Sequence, residues 1–241
     1  MTIAPAGRPA PIGRPAAAVA FCPCPPLLVP AVEGNPSVEM VALRNACAAA
    51  VAALLEAAPG VVVVVGGGAV PGQRFGPGDG GTLRDYGVDL EVPFDGPSRP
   101  GGRRLPLAHA MGAWLLDQAS FAGTRVGVGP GDLACLLRDL PDPVGVLAMG
   151  DGSARRTVKA PGYLDPAAEP FDARVATALA TGDAAALAAL EPAEGERLLA
   201  AGVPTWRAVG TVFTGRQVTA RLRHDAAPFG VGYPVADWVV A

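Results

Sequence analysis

Five consecutive valines, Val61–Val65, follow a long stretch rich in alanine and leucine, and this kind of alternation recurs along the chain. A short run that is β-branched and apolar at every position is typical of a strand buried on both faces of a sheet. The predicted strands of this type are Ala17–Phe21, Val61–Val65, Arg125–Val128 and Val144–Met149. Strands that alternate with helices predict an α/β fold with a mainly parallel or mixed central sheet flanked by helices on both faces.

Periodicity and turn residues predict the remaining elements. The first helix is expected to open at Asn35-Pro36 and to end before Pro59-Gly60. Further helices are predicted near Leu105–Asp117, Phe171–Ala180, Ala184–Leu190, Ala193–Ala201 (closed by Gly202) and Pro204–Phe213, with strands at Gln217–Arg223 and within Gly230–Val240. The segment from Phe75 to Arg104 is rich in glycine and proline, and we expect a short strand pair around Thr82–Pro93 and a candidate lid there.

Length and composition bound the class of protein. The 241 residues, half of them hydrophobic, suffice for one core, and we predict a flexible tail over 1–16 and a single α/β domain over 17–241. No uninterrupted apolar run approaches the roughly 20 residues of a membrane-spanning helix, so a cytoplasmic protein with no membrane partner is expected. The net charge of −3 and the 5% aromatic content argue against nucleic acid as a partner.

The four cysteines are expected to be reduced thiols. Cys47 and Cys135 lie in apolar helical patterns and are predicted to belong to the core, whereas Cys22 and Cys24 flank a proline just after the first strand. Their C-x-C spacing differs from the C-x-x-C of a zinc knuckle, and we predict no conventional structural metal site. Two interpretations of Cys24 stay open: a reactive thiolate beside cations, or part of a rigid proline bend.

The loops that follow three predicted strands carry the candidate site residues. Ligands of open α/β sheets bind beyond the carboxyl ends of the strands, and these loops follow Phe21, Val65 and Met149. The catalytic candidates are Asp151, Ser153 and Cys24, and the ligand-binding candidates are Gly66, Gly67, Gly68, Arg155, Arg156 and Lys159. A carboxylate, a hydroxyl and several cations suit proton transfer and anion binding, but the same residues also suit a hydrogen-bonded turn with a solvated rim.

The two histidines do not form a recognisable catalytic or metal motif. His109 lies in an apolar helical pattern and is predicted to be a core residue, whereas His224 ends an alternating strand and is predicted to be exposed. Ser153 lacks the G-x-S-x-G elbow of a serine hydrolase. The glycines after Val65 form neither a dinucleotide fingerprint nor a P-loop.

Four features in order resemble one known family. These are Cys22-Pro-Cys-Pro-Pro-Leu-Leu-Val-Pro30, the strand Val61–Val65 with Gly66–Gly68, Gly150-Asp-Gly-Ser-Ala154, and the segment from Phe171-Asp172 to Gly182-Asp183. Together they resemble the class III extradiol ring-cleavage dioxygenase-B family and the related Memo proteins. The chain is most similar to the shorter, actinobacterial dioxygenase-B-like members, and the resemblance runs from Ala17 to Trp238.

The resemblance implies a metal site from which this chain departs. Active members hold ferrous iron with two histidines and a glutamate, a ligand set suited to oxygen activation. Here Cys24 best matches the first histidine position, and the second falls within Gly66–Gly68. The family's Asp-Leu-Ser-His, whose histidine serves acid–base chemistry, is matched by Asp151-Gly152-Ser153-Ala154.

Three hypotheses follow from this pattern. The first is a dioxygenase-B-like scaffold without the family's histidines that binds a small anionic or aromatic ligand in the strand-end crevice. The second is a metal-dependent oxidoreductase in which Cys24, Asp151 and a histidine or carboxylate from elsewhere form an altered metal site. The third is a non-catalytic interaction protein, which predicts an exposed apolar patch and a stable partner or a homo-oligomer.

Overall fold

The computed structural model describes residues 17–141 and 143–240, which form a seven-stranded sheet and a separate two-stranded sheet. The strands are β1 (Ala18–Cys22), β2 (Val61–Val65), β3 (Arg74–Phe75), β4 (Gly80–Thr82), β5 (Glu91–Pro93), β6 (Thr124–Val128), β7 (Val144–Met149), β8 (Val218–His224) and β9 (Val235–Val240). The large sheet has the order β3-β6-β2-β7-β1-β9-β8. The α/β class is therefore confirmed, while the tail predicted over 1–16 lies outside the described residues.

The centre of the large sheet is parallel and its margins are antiparallel. Strands β6, β2, β7 and β1 run in one direction, whereas β3, β9 and β8 join their neighbours antiparallel. Every residue of β1 and β7 is buried, as is β2 after its first residue. Uniformly apolar runs form these strands because helices cover both faces of the sheet.

The described α-helices divide between the two faces. They are α1 (Pro30–Glu33), α2 (Val38–Glu56), α3 (Leu107–Gln118), α4 (Leu133–Asp139), α5 (Ala168–Thr181), α6 (Ala184–Ala188), α7 (Pro192–Arg197) and α8 (Val203–Phe213). Helices α2 and α3 pack on one face, and α4, α5 and α8 pack on the other. The chain returns from β6 through α4 to place β7 between β2 and β1.

Helix α2 is the longest described helix. It begins after Ser37, whose hydroxyl accepts a hydrogen bond from the Met40 N–H at 3.2 Å. Within the described residues it alone is long and apolar enough to cross a membrane by length and composition, with a mean hydropathy of 1.6. The search for an uninterrupted apolar run in the sequence did not find this helix, because Glu39 and Arg44 interrupt its apolar residues. Met40, Leu43, Cys47, Val51 and Leu54 form a buried stripe against the sheet.

Most predicted elements occur within a few residues of their expected positions, but two predictions about the helices were wrong. Cys135 was predicted to be a core thiol and is exposed, because Leu136 and Leu137 form the buried face of α4. Gly202 was predicted to close α7. That helix ends at Arg197, Leu199 takes a φ of 54°, and Gly202 instead precedes α8.

The glycine-rich segment between β3 and α3 is an ordered unit. Strands β4 and β5 pair antiparallel, which confirms the predicted strand pair. The carboxyl group of Asp79 is buried and accepts hydrogen bonds from the Arg103 N–H at 2.7 Å and the Gly76 N–H at 3.0 Å. One carboxylate thus ties together the two ends of this segment.

We predict that Trp238 of β9 is a principal anchor of the core. It is fully buried, stacks edge-on against Phe21 with ring centroids 4.9 Å apart, and donates its indole N–H to the Leu179 carbonyl at 2.8 Å. Trp238→Ala is expected to lower the free energy of unfolding by about 3–5 kcal/mol in urea denaturation. The neighbouring Val239→Ala, at an exposed position, should cost below about 1 kcal/mol, and equal losses would contradict the assignment.

Candidate functional site

The three predicted crevice loops meet at the carboxyl edge of the sheet. Cys22 pairs with Met149 and Val65 pairs with Ala148, so β1 and β2 end on either side of the end of β7. The Gly150 N–H donates to the Cys22 carbonyl at 3.0 Å. The chain leaves β1 and β2 towards the α2–α3 face and leaves β7 towards the other face, which makes this edge a topological switch point.

Asp151 is the central charged residue of this edge. Its Oδ1 accepts a hydrogen bond from the Cys24 N–H at 2.7 Å, and its own carbonyl accepts from the Gly202 N–H at 2.8 Å. The residue is half-buried. Burial raises the pKa of its carboxyl to about 6, and the hydrogen bonds from Cys24 moderate that rise. A carboxyl with this pKa exchanges its proton close to neutral pH.

Two protonated groups lie beside the Asp151 carboxyl. Burial raises the pKa of the Cys24 thiol well above its usual range, and the Asp151 charge and its hydrogen bond to the thiol raise it further. Burial also raises the pKa of the Tyr233 phenol, again with a contribution from the Asp151 charge. Both residues are almost fully buried. The Asp151 carboxyl therefore lies near two side chains that stay neutral, and among the described residues no cation is paired with it.

Two further thiols lie behind Cys24. Cys22 and Cys47 are buried where the end of β1 meets the middle of α2. A hydrogen bond with Cys22 and burial raise the pKa of the Cys47 thiol. The interpretation of Cys24 as a thiolate activated by cations finds no support in this setting, because carboxylate charge and burial favour the protonated thiol.

Ser153 and Arg156 fasten the loop after β7 to α5. The Ser153 N–H donates to Asp172 Oδ1 at 2.9 Å, and its fully buried hydroxyl donates to the Leu198 carbonyl at 2.8 Å. Arg156 donates to Asp172 Oδ2 at 2.9 Å and lies 3.7 Å from Glu169. These contacts correspond to the structural interpretation of the motif, with Asp172 as the shared partner.

The other predicted cations are placed less centrally. Lys159 is exposed. Arg155 is half-buried, and its Nε is buried without a hydrogen-bond partner among the described residues. The Arg155 side chain packs where a Cβ on Gly162 would lie, and its charge acts on Asp165. Within the described part of the chain, no hydrogen bond or ion pair joins these cations to Asp151.

The glycines after β2 lie at the carboxyl edge of the sheet, on the other side of β7 from the loop after β1. A Cβ at Gly66 would lie 2.6 Å from the Ala108 Cβ, and Gly68 has a φ of +91° against Pro106. Both positions therefore require glycine for packing or backbone reasons. Gly67 is exposed, and a Cβ there would meet nothing within 4 Å.

Neither histidine belongs to this arrangement. His109 is fully buried, hydrogen-bonds through Nε2 to the Val128 carbonyl at 3.0 Å and packs on Phe75, as predicted for a core residue. Burial lowers its pKa to about 4, so it stays neutral. His224 was predicted to be exposed but is half-buried at the end of β8, where burial lowers its pKa.

The donor set does not fit the ferrous iron implied by the resemblance. In residues 17–141 and 143–240, no three His, Cys, Asp or Glu side chains form a group that suits a metal ion. The positions that match the two histidines hold a thiol that is kept protonated and a stretch of glycine. Neutral imidazoles, which that chemistry requires, have no counterpart here.

Sequence reasoning missed Tyr233, and it named Asp172 only as part of the resemblance, without predicting its contacts with Ser153 and Arg156. Tyr233 precedes β9, which runs antiparallel to β1, so the start of β9 lies at the edge where β1 ends. Only the direction of β9 would have indicated this.

No protein-family model matches the chain, and no curated protein matches it.

The three site thiols should be protected from reagents in the native protein. Cys22, Cys24 and Cys47 are buried and Cys135 is exposed. We expect one of the four thiols to react rapidly with Ellman's reagent before unfolding and all four afterwards. Cys135→Ser should abolish the rapid phase, and a second rapid thiol in that variant would contradict the described burial.

Asp151 should make stability depend on pH between about 4 and 6. Its pKa is higher in the folded chain, so the native state binds the proton more tightly, and the free energy of unfolding falls as pH rises through this window. The full loss from pH 4 to pH 7 is about 3 kcal/mol. In urea denaturation, Asp151→Asn should gain stability relative to the parent protein over this range. The exposed Asp139→Asn should keep a constant difference, and parallel curves for all three proteins would refute the assignment.

Proposed function

We propose that this chain is a dioxygenase-B-like scaffold protein that binds a small hydroxylated aromatic molecule at the switch point, with Asp151 accepting the ligand's hydroxyl proton or hydrogen bond. The observation that carries the proposal is a half-buried carboxyl at the switch point, which accepts the Cys24 N–H at 2.7 Å and whose pKa burial raises to about 6. A pKa this close to neutrality at the carboxyl edge of an α/β sheet is typical of functional groups.

The charges around Asp151 favour an aromatic ligand over an anionic one. At neutral pH the carboxyl is mostly ionised and repels anions, while Arg156 is already paired with Asp172 and Glu169. A phenolic hydroxyl instead donates to the carboxylate, and an aromatic ring suits the apolar surroundings of Cys24 and Tyr233. The order of the motifs along the chain supports the same ligand class, since the resembled family acts on catechols.

The proposal assigns no step to iron. The residues that match the family's metal positions supply a protonated thiol and bare backbone, and the chemistry left to this chain is hydrogen bonding and proton transfer at Asp151. The hypothesis of an altered metal site therefore has no donor set among the described residues to carry it.

Isothermal titration with phenol, catechol and benzoate at pH 7.5 tests the proposal. Catechol and phenol should bind more tightly than benzoate, and Asp151→Asn should weaken their binding about tenfold, because a hydrogen bond to a charged group is lost. Asp139→Asn, which removes an exposed carboxylate at the end of α4 beside Arg74 of β3, should leave binding unchanged. Absence of saturable phenol and catechol binding, or equal affinity in both variants, would remove the proposal.

A further inference from the structure

A small polar cavity lies outside the proposed ligand site. It encloses about 180 Å³ on the segment between β3 and α3, and its floor is made of glycine backbone. A Cβ on Gly80 would lie 2.1 Å from the Ser98 Oγ, and one on Gly102 would lie 2.0 Å from the Gly78 carbonyl oxygen. The Ser98 hydroxyl and the Gly78 carbonyl approach the backbone this closely only because Gly80 and Gly102 carry no side chain.

Three arginines surround this floor. Arg99, Arg103 and Arg104 line the cavity together with the hydroxyl residues Ser98 and Thr82. The one acidic lining residue, Glu91, is paired with Arg84 at 3.3 Å. Asp79 and Asp85 pair with Arg103 and Arg104, so among the described residues Arg99 is the lining cation that no carboxylate neutralises.

The arginines retain donors for a ligand. Arg103 donates to the Arg74 carbonyl at 3.0 Å, and Arg104 pairs with Asp85 at 2.5 Å, both in exposed positions. A guanidinium has five N–H donors, so these contacts leave others free to bind an anion. Among the described residues Arg99 forms no ion pair, and its side chain packs along Gly78 at the cavity wall.

The buried Asp79 carboxylate and backbone hydrogen bonds fix the shape of the cavity. Asp79 is buried, accepts the Arg103 N–H at 2.7 Å and lies 3.6 Å from the Arg103 guanidinium. The Arg99 N–H donates to the Gly78 carbonyl, and the Gly102 N–H donates to the Arg99 carbonyl, both at 2.9 Å. These bonds fix the backbone on which the arginines stand, which reduces the ordering cost of binding.

We propose that this cavity binds the phosphate group of a small phosphomonoester. Planar guanidinium groups match the geometry of phosphate oxygens, and hydroxyls beside them add neutral donors. The cavity is small and open, so it suits the phosphate itself, with the rest of the ester directed into solvent. The site is independent of Asp151 and stands whether or not the crevice binds an aromatic ligand.

Titration of the full chain with phenyl phosphate, followed by amide chemical shifts at low ionic strength, tests this proposal. Saturable shifts are expected at Gly78, Gly80 and Gly102, with none at Cys24 or Gly150 at the crevice. Arg99→Gln should raise the half-saturation concentration about tenfold, because it removes charge-assisted hydrogen bonds. Inorganic phosphate should compete with phenyl phosphate and shift the same amide signals, which would show that the phosphate group is recognised.

The matched control is Arg138→Gln, which removes the same charge from an exposed position on α4. Its half-saturation concentration should stay within about twofold of the parent protein, because no contact of the cavity is lost. Both arginines are exposed, so neither variant is expected to unfold. Shifts confined to the crevice, no saturation at the three glycine amides, or equal behaviour of the two variants would overturn the proposal.

Discussion

The hydrogen bond from the Cys24 N–H to the Asp151 carboxyl joins the loops that follow β1 and β7, and the candidate site depends on it. These loops depart to opposite faces of the sheet, and this bond adds to the one from the Gly150 N–H to the Cys22 carbonyl in holding them together at the switch point. Burying a carboxyl is costly, and the raised pKa of Asp151 reflects that cost. Burial therefore brings the Asp151 proton towards the neutral range, while the hydrogen bond from Cys24 favours the ionised carboxylate and limits that rise.

The loop after β7 has a structural reason for each residue of its Gly-Asp-Gly-Ser motif. A Cβ on Gly150 would lie 2.4 Å from the Gly202 Cα, and one on Gly152 would lie 2.8 Å from Asp172 Oδ1. The N–H and the hydroxyl of Ser153 both form buried hydrogen bonds. Of the four, Asp151 alone combines partial exposure with a shifted pKa, so the other three residues of the motif have structural roles and Asp151 is the one on which the proposed function depends.

The two proposed sites differ in the charged group that each presents to a ligand. At the crevice one carboxylate stands among neutral donors, which suits a hydroxylated, uncharged ligand. On the glycine-rich segment three guanidiniums stand around bare backbone, which suits a phosphate. Net charge predicted neither, because the fold collects a few residues from a composition that is nearly balanced overall.

The sequence by itself determined the α/β class, the central strands and the position of most helices, because apolar runs and helical periodicity report burial on a local scale. It also placed Asp151 and Cys24 at strand ends. Only the tertiary structure decided that β7 lies between β2 and β1, that Tyr233 reaches the same edge and that Cys135 faces solvent. Strand order, strand direction and the buried side of a short helix depend on contacts between residues distant in the chain, which no local pattern encodes.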